Sequence, residues 1–188
     1  MTRLLALLLL TGCVINNHKI VQQGLKIPDK KIVTLVCDES CTDAERERLP
    51  LIEKKLNATL ASKCFSDFVM TPNRPWNHLG ELKPIDVLDR MLTPQILLVS
   101  YFYSPFWQLE GYEVAGQAVV HINRHAVAYQ KMSLCTEASL MAHEVSHAKG
   151  LNHRGNVHDE FNDLTAPYQI NHAFEDRAKD YLNGGCCL

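Results

Sequence analysis

The run from His143 to His153 reads HEVSHAKGLNH, so His143, Glu144, His147, Gly150 and His153 stand in the pattern H-E-x-x-H-x-x-G-x-x-H. Each spacing has a physical use. On a helix, residues four apart share one face about 6 Å apart along the axis, which lets the imidazoles of His143 and His147 hold one Zn²⁺. Glu144 follows the first histidine and can reach a water on the metal without ligating it. Gly150 lets the chain reverse, and His153 returns three residues later as a third nitrogen ligand. Three protein ligands leave a fourth position for water, which separates catalytic zinc sites from closed structural ones. With His at 9 of 188 positions, the full pattern arises by chance on the order of once in ten thousand such chains. An amphipathic helix with two core-facing histidines is the bland alternative, and Gly150 with His153 weighs against it.

The helix that carries the pair is expected over 136–150 (TEASLMAHEVSHAKG), with Thr136 as N-cap and Gly150 as its stop. Other side chains of ligand type are His158, Asp159, Glu160 and Glu175, but His153 already completes the set. His121 and His125 read as surface histidines, with a position in the cleft as the alternative.

These residues make the sequence resemble the metzincin clan of zinc metallopeptidases, whose signature is this eleven-residue run. The resemblance implies one catalytic zinc ion on His143, His147 and His153, with Glu144 as general base. It implies a single α/β (α+β) domain with a twisted mixed sheet, a long backing helix, a zinc-binding helix and a small C-terminal part ending in a helix. It also implies an edge strand that pairs with an extended peptide substrate. That strand maps to 116–122, with Gly116, Val119 and Val120 as its substrate-facing residues. Metzincins carry a methionine in a turn beneath the zinc, whereas here Met1, Met70, Met91, Met132 and Met141 all precede His153. Residues 163–168 (DLTAPY) are the positional counterpart, with Leu164 or Thr165 in the methionine's place. Tyr168 would match the tyrosine that in some metzincins contacts zinc or stabilises the oxyanion; a partly buried loop tyrosine is the alternative.

The elements that must position these residues follow from patterning. Residues 31–36 (KIVTLV) are apolar and β-branched, which predicts a strand. Thr42 and Glu45 form a capping box, and Leu49, Ile52, Leu56 and Leu60 recur at helical spacing. Pro50 should kink that helix or mark its first turn. Residues 65–70 read as a short second strand, and 71–94, with Pro72, Pro75, Gly80 and Pro84, as an excursion with a short helix near 85–91. The continuous apolar run 95–103 (QILLVSYFY) predicts a buried strand, and 111–123 two extended segments around Gly116. Asn171 should open a last helix with Phe174, Ala178, Tyr181 and Leu182 as its stripe and Asn183-Gly184 as its end. Such alternation is α/β in character.

The whole chain has 188 residues, 46% hydrophobic and 21% charged, with a net charge of −2. That is one globular domain with no basic surplus for nucleic acid. Seven cysteines are an odd number for an exported protein. Arg3, the leucine-rich stretch 4–10 and the quartet Leu10-Thr11-Gly12-Cys13 resemble a signal peptide ending in the bacterial lipobox. Cys13 would then carry the lipid, with 1–12 as signal peptide, 13–30 as lipidated cysteine and tether, and 31–188 as catalytic domain. Val14 in place of aspartate favours the outer membrane. An ordinary secretory signal is the alternative.

Six cysteines remain: Cys37, Cys41, Cys64, Cys135, Cys186 and Cys187. Cys41 and Cys64 bracket a helix about 30 Å long and should not bond to each other. Cys37 and Cys41 have the look of disulfide partners, and the neighbours Cys186 and Cys187 should have different ones. Asn57-Ala58-Thr59 matches a glycosylation sequon but falls inside a predicted helix. The expected function is zinc-dependent endopeptidase activity on peptide or protein substrates, by a monomer lipid-anchored to a bacterial cell envelope. The alternative is a catalytically inactive metal- or peptide-binding envelope lipoprotein, suggested by the missing methionine.

Overall fold

The computed structural model describes residues 31–71, 82–113, 117–153 and 165–174. The expected lipobox with Cys13, the tether, Gly116, Leu164, His158 to Glu160, Glu175, the end of the last helix, Cys186 and Cys187 lie outside them. In chain order the elements are β1 (Val33–Cys37), α1 (Asp43–Leu60), α2 (Lys63–Val69), α3 (Pro84–Leu92), β2 (Gln95–Phe102), β3 (Gly111–Glu113), β4 (Val119–Asn123), α4 (Arg124–Tyr129), α5 (Leu134–Ala148) and α6 (Ala166–Phe174). The architecture is mixed α/β, with a four-stranded sheet in the order β1-β2-β4-β3. β1, β2 and β4 run parallel, and β3 pairs antiparallel with β4, Gly111 opposite Ile122 and Glu113 opposite Val120. None of the helices described is long and apolar enough to cross a membrane.

α1 starts where its capping box requires. Glu45 N donates to Thr42 Oγ1 (3.3 Å), and Thr42 N donates back to Glu45 Oε2 (2.7 Å). The helix then runs unbroken across Pro50. Its stripe of Leu49, Ile52, Leu56 and Leu60 is buried. Asn57, the residue of the sequon, joins this helix to the sheet: its Oδ1 accepts from Ile32 N (2.7 Å) and Val33 N (2.9 Å), and its Nδ2 donates to Val33 O (2.7 Å). Glu53 Oε2 accepts from Leu35 N (2.7 Å). Helix side chains thus satisfy the outer edge of β1, the standing problem of an edge strand.

Residues 65–70 are not a strand. Residues 65–69 belong to α2 and Met70 is its C-cap; Ser62 caps the start, its Oγ accepting from Phe65 N (3.0 Å). Phe65, Phe68 and Val69 are buried at helical spacing, and the Phe65 ring packs edge-on to Phe174 at 6.2 Å. β2 is buried on one face alone. Leu97, Val99 and Tyr101 point into the core, whereas Ile96 is 67% exposed and Leu98 43%. The apolar run 95–103 predicts a buried strand, but in β2 only the alternate residues that face the core are buried. The last helix begins at Ala166, ahead of the expected Asn171. Cys37 and Cys41 form a disulfide with Cα atoms 5.9 Å apart. Cys64 and Cys135 each take part in a disulfide as well.

Candidate metal centre

α5 carries the first two histidines, and both of its ends are fastened. Its N-cap is Ser133 rather than Thr136, with Ser133 Oγ accepting from Thr136 N (3.1 Å). The helix therefore starts before the expected threonine, because an earlier hydroxyl was free to cap. Arg48 of α1 forks onto Glu137 in its first turn, Nε to Oε1 at 2.7 Å and to Oε2 at 3.0 Å, and its Nη2 donates to Met132 O (3.1 Å). Ser139 Oγ donates to Asn171 O (3.0 Å) and ties α5 to α6.

At the other end the chain reverses as the glycine requires. Gly150 has φ +76°, a left-handed conformation that L side chains resist. Gly150 N donates to His147 O (2.8 Å) and Leu151 N to Ser146 O (2.9 Å), the paired bonds of a Schellman turn. Helix α3 braces this turn from outside. Arg90 Nη1 donates to Gly150 O (2.9 Å), and Lys149 Nζ donates to Thr93 O.

The turn delivers His153 to the other two. His147 Nε2 lies 3.2 Å from His143 Nε2 and 3.1 Å from His153 Nε2, and one ligand nitrogen from each falls within 4.8 Å of the others. Tetrahedral Zn–N bonds of 2.0–2.1 Å place their nitrogens about 3.3–3.4 Å apart, so the cluster has the scale of one ion. His147 Nδ1 sits 2.8 Å from Leu151 O. A proton on Nδ1 donated to that carbonyl leaves the Nε2 lone pair facing the cluster, as a ligand requires. Burial, with His153 beside it, pushes the His147 pKa down to about 4, so this imidazole is neutral near pH 7. A convergent set of imidazole nitrogens fits a borderline cation such as zinc, without fixing which metal binds.

Glu144 is 4% exposed, and its Oε2 is buried without a hydrogen-bond partner among the described residues. β3 passes directly over it. A Cβ built on Gly111 would stand 2.9 Å from Glu144 Oε1 and 2.9 Å from the His121 carbonyl, so only glycine admits this approach. Burial, then the charges of Glu113 and Glu110, push the Glu144 carboxyl up to about 8. Such a group binds a proton readily and still ionises near neutrality, the range a general base needs.

Tyr168 reaches the same place from α6. Its ring lies 4.8 Å from that of His143 and 5.0 Å from that of His153, and it is buried there in a helix rather than in a loop. Thr165, in the stretch expected to floor the site, is buried as well. The expected substrate strand is corrected. Val119 and Val120 belong to β4, which is paired on both sides, and Val120 is fully buried. Among the described residues the outer strand on this side is β3, displaced toward the N-terminus because the order β2-β4-β3 puts the shorter, antiparallel strand outermost. His121 stacks on Tyr112 at 4.4 Å and His125 packs against Tyr103 at 5.2 Å, and neither lines the cleft.

The cleft over the histidines has a volume of about 330 Å³, and β3 forms one wall. Gly111, Glu110 and Glu113 belong to it without having been singled out in the sequence. Nothing local marks them, since their position follows from sheet order. The loop leading to them is held by buried Asn123, whose Nδ2 donates to Leu109 O (2.8 Å) and Phe106 O (3.2 Å). Comparison of the chain with protein-family models, curated proteins and solved structures finds no match. The chemistry of the centre therefore rests on its own geometry.

Proposed function

We propose that this chain is a zinc-dependent endopeptidase of the metzincin kind, lipid-anchored through Cys13 to a bacterial cell envelope. The observation that carries the reading is the arrangement at α5: three imidazoles converge, and beside them a buried carboxylate that is no part of that cluster keeps one oxygen without a partner among the described residues. A structural metal site has no use for that carboxylate. The element order is compatible with this reading: a strand, a long helix, further strands that include an outer strand, and later the metal helix.

His143, His147 and His153 would hold the ion, which supplies Lewis acidity toward water and toward a substrate carbonyl. Glu144 would take the proton from the attacking water at its free Oε2 and pass it to the leaving amine. Its buried, acid-flanked setting gives it the affinity for that proton. Tyr168, whose ring packs on two of the histidines, would donate from its hydroxyl to the oxyanion. The free edge of β3 would align an extended peptide across the cleft by backbone pairing.

The test is hydrolysis of unfolded protein and peptide libraries, with and without chelator, by the wild type and by Glu144→Gln. Cleavage that chelation abolishes and zinc restores, and that the variant lacks, is the expected result. Equal cleavage by variant and wild type would remove Glu144 from the mechanism. Stoichiometric zinc without any turnover would favour the metal-binding lipoprotein instead.

A further inference from the structure

The cleft is one-sided in charge. Beside the three histidines, the ionisable carboxyls and bases that line it are Glu110, Glu113 and Glu144, with no lysine or arginine among the described residues. Strand alternation puts Gly111 and Glu113 on the α5 side of β3, while Tyr112 turns away to stack on His121. Two carboxylate oxygens in this one cleft, Glu144 Oε2 and Glu113 Oε1, are buried without a donor among the described residues. The Glu144 oxygen has a use in hydrolysis. The Glu113 oxygen has none, and neither has the charge of Glu110, whose Oε1 accepts from Gln130 Nε2 (2.7 Å). A buried carboxylate oxygen with no partner is costly, and a charged donor from a ligand is the partner that repays it best.

We propose that the cleft selects peptides bearing a cationic nitrogen close to the scissile bond, and that Glu113 is its principal acceptor, with Glu110 reinforcing the field. The inference rests on the peptidase reading and names the substrate of that same site. Glu113 stands two residues along β3 from Gly111, which covers Glu144, a separation of about 6–7 Å. A peptide paired to the β3 edge advances by the same amount per two residues. The cation therefore falls one or two residues from the bond that Glu144 addresses. A Lys or Arg side chain and a free α-amino terminus both supply such a nitrogen. The first makes the site an endopeptidase with basic preference, and the second makes it selective for chain ends.

The experiment measures peptide binding rather than turnover. Full-length Glu144→Gln protein loaded with zinc is titrated with fluorescent peptides identical except at one position, Lys, Gln or Glu, each with a free and an acetylated N-terminus. Cationic peptides are expected to bind at least about tenfold more tightly than neutral ones, the advantage shrinking with added salt as an ionic contact must. Adding Glu113→Gln should bring the ratio to within about twofold while zinc stays at one per chain. Glu110→Gln, on a side chain at the rim, should reduce it in part. Preference that survives acetylation identifies the side chain as the source, and preference that needs the free terminus identifies the α-amine. Equal binding of Lys, Gln and Glu peptides, or no binding of any, overturns the proposal. Cation-selective binding with no hydrolysis by the wild type would instead leave it standing and remove the peptidase reading.

Discussion

The two flanks of α5 are built by different means. On the C-terminal flank, the turn that brings His153 back is closed within a few residues by Gly150 and the two Schellman bonds. On the β3 flank, the environment of Glu144 is made by a strand far away in sequence, laid over the carboxylate by the order of the sheet. The convergence of the three histidines is thus a local product of one motif, and the setting of Glu144 is a product of the whole fold. Holding a metal and using it should then be separable by substitution, since each flank can be disturbed without the other.

The largest effect is expected on the local flank. His153→Ala leaves two imidazoles, too few to hold zinc against dialysis. Metal analysis should find no stoichiometric zinc and assays no hydrolysis. On the distant flank, Gly111→Ala forces β3 away from Glu144 while the histidines stay together. Turnover should fall about a hundredfold, as misplacement by an ångström does, with zinc still bound at one per chain. Loss of zinc in Gly111→Ala would erase the distinction between the two flanks.

Smaller effects sharpen it. Arg90→Ala removes the brace on the Gly150 carbonyl and should weaken zinc binding about tenfold, the scale of an outer support, as read by competition with a chromophoric chelator. Gly150→Ala imposes a side chain at φ +76° and should cost about 1–2 kcal/mol of stability in denaturant unfolding. A pH trend is expected in the metal-free protein. Glu144 keeps its proton up to about 8 when folded, against 4.5 for an ordinary carboxyl, so the unfolded chain releases it first. The folded state binds more protons across that window, and stability should therefore fall as pH rises through it. Melting temperatures should decline from about pH 6.5 to 8, above the range in which His147, held down to about 4 from 6.5, contributes the opposite slope, and Glu144→Gln should flatten the decline. A rising slope in the wild type would contradict the burial of an ionisable base there.

The same contrast explains what could be read from the sequence. His143, Glu144, His147, Gly150 and His153 were legible because helical spacing and a single glycine suffice to bring them together. The capping box at Thr42 and the buried stripe of α1 were legible for the same reason. Residues 65–70 were misread because aromatic and β-branched residues suit a strand as well as a helix, and Ser62, which decides the matter as a cap, lies outside the run. β2 showed its length but not its open face, because an unbroken apolar run conceals which side is covered. The edge strand was assigned to Val119 and Val120 because strand order is a property of pairing that no stretch of residues states. Glu113 and Gly111 were invisible for that reason, and they matter most to how Glu144 behaves.

X-ray absorption at the zinc edge, on the full chain loaded with one equivalent of metal, tests the central claim most directly. Three imidazole nitrogens and one further light atom at about 2.0–2.1 Å are predicted. Sulfur at about 2.3 Å, or fewer than three imidazoles in the wild type, would contradict a zinc centre built on His143, His147 and His153.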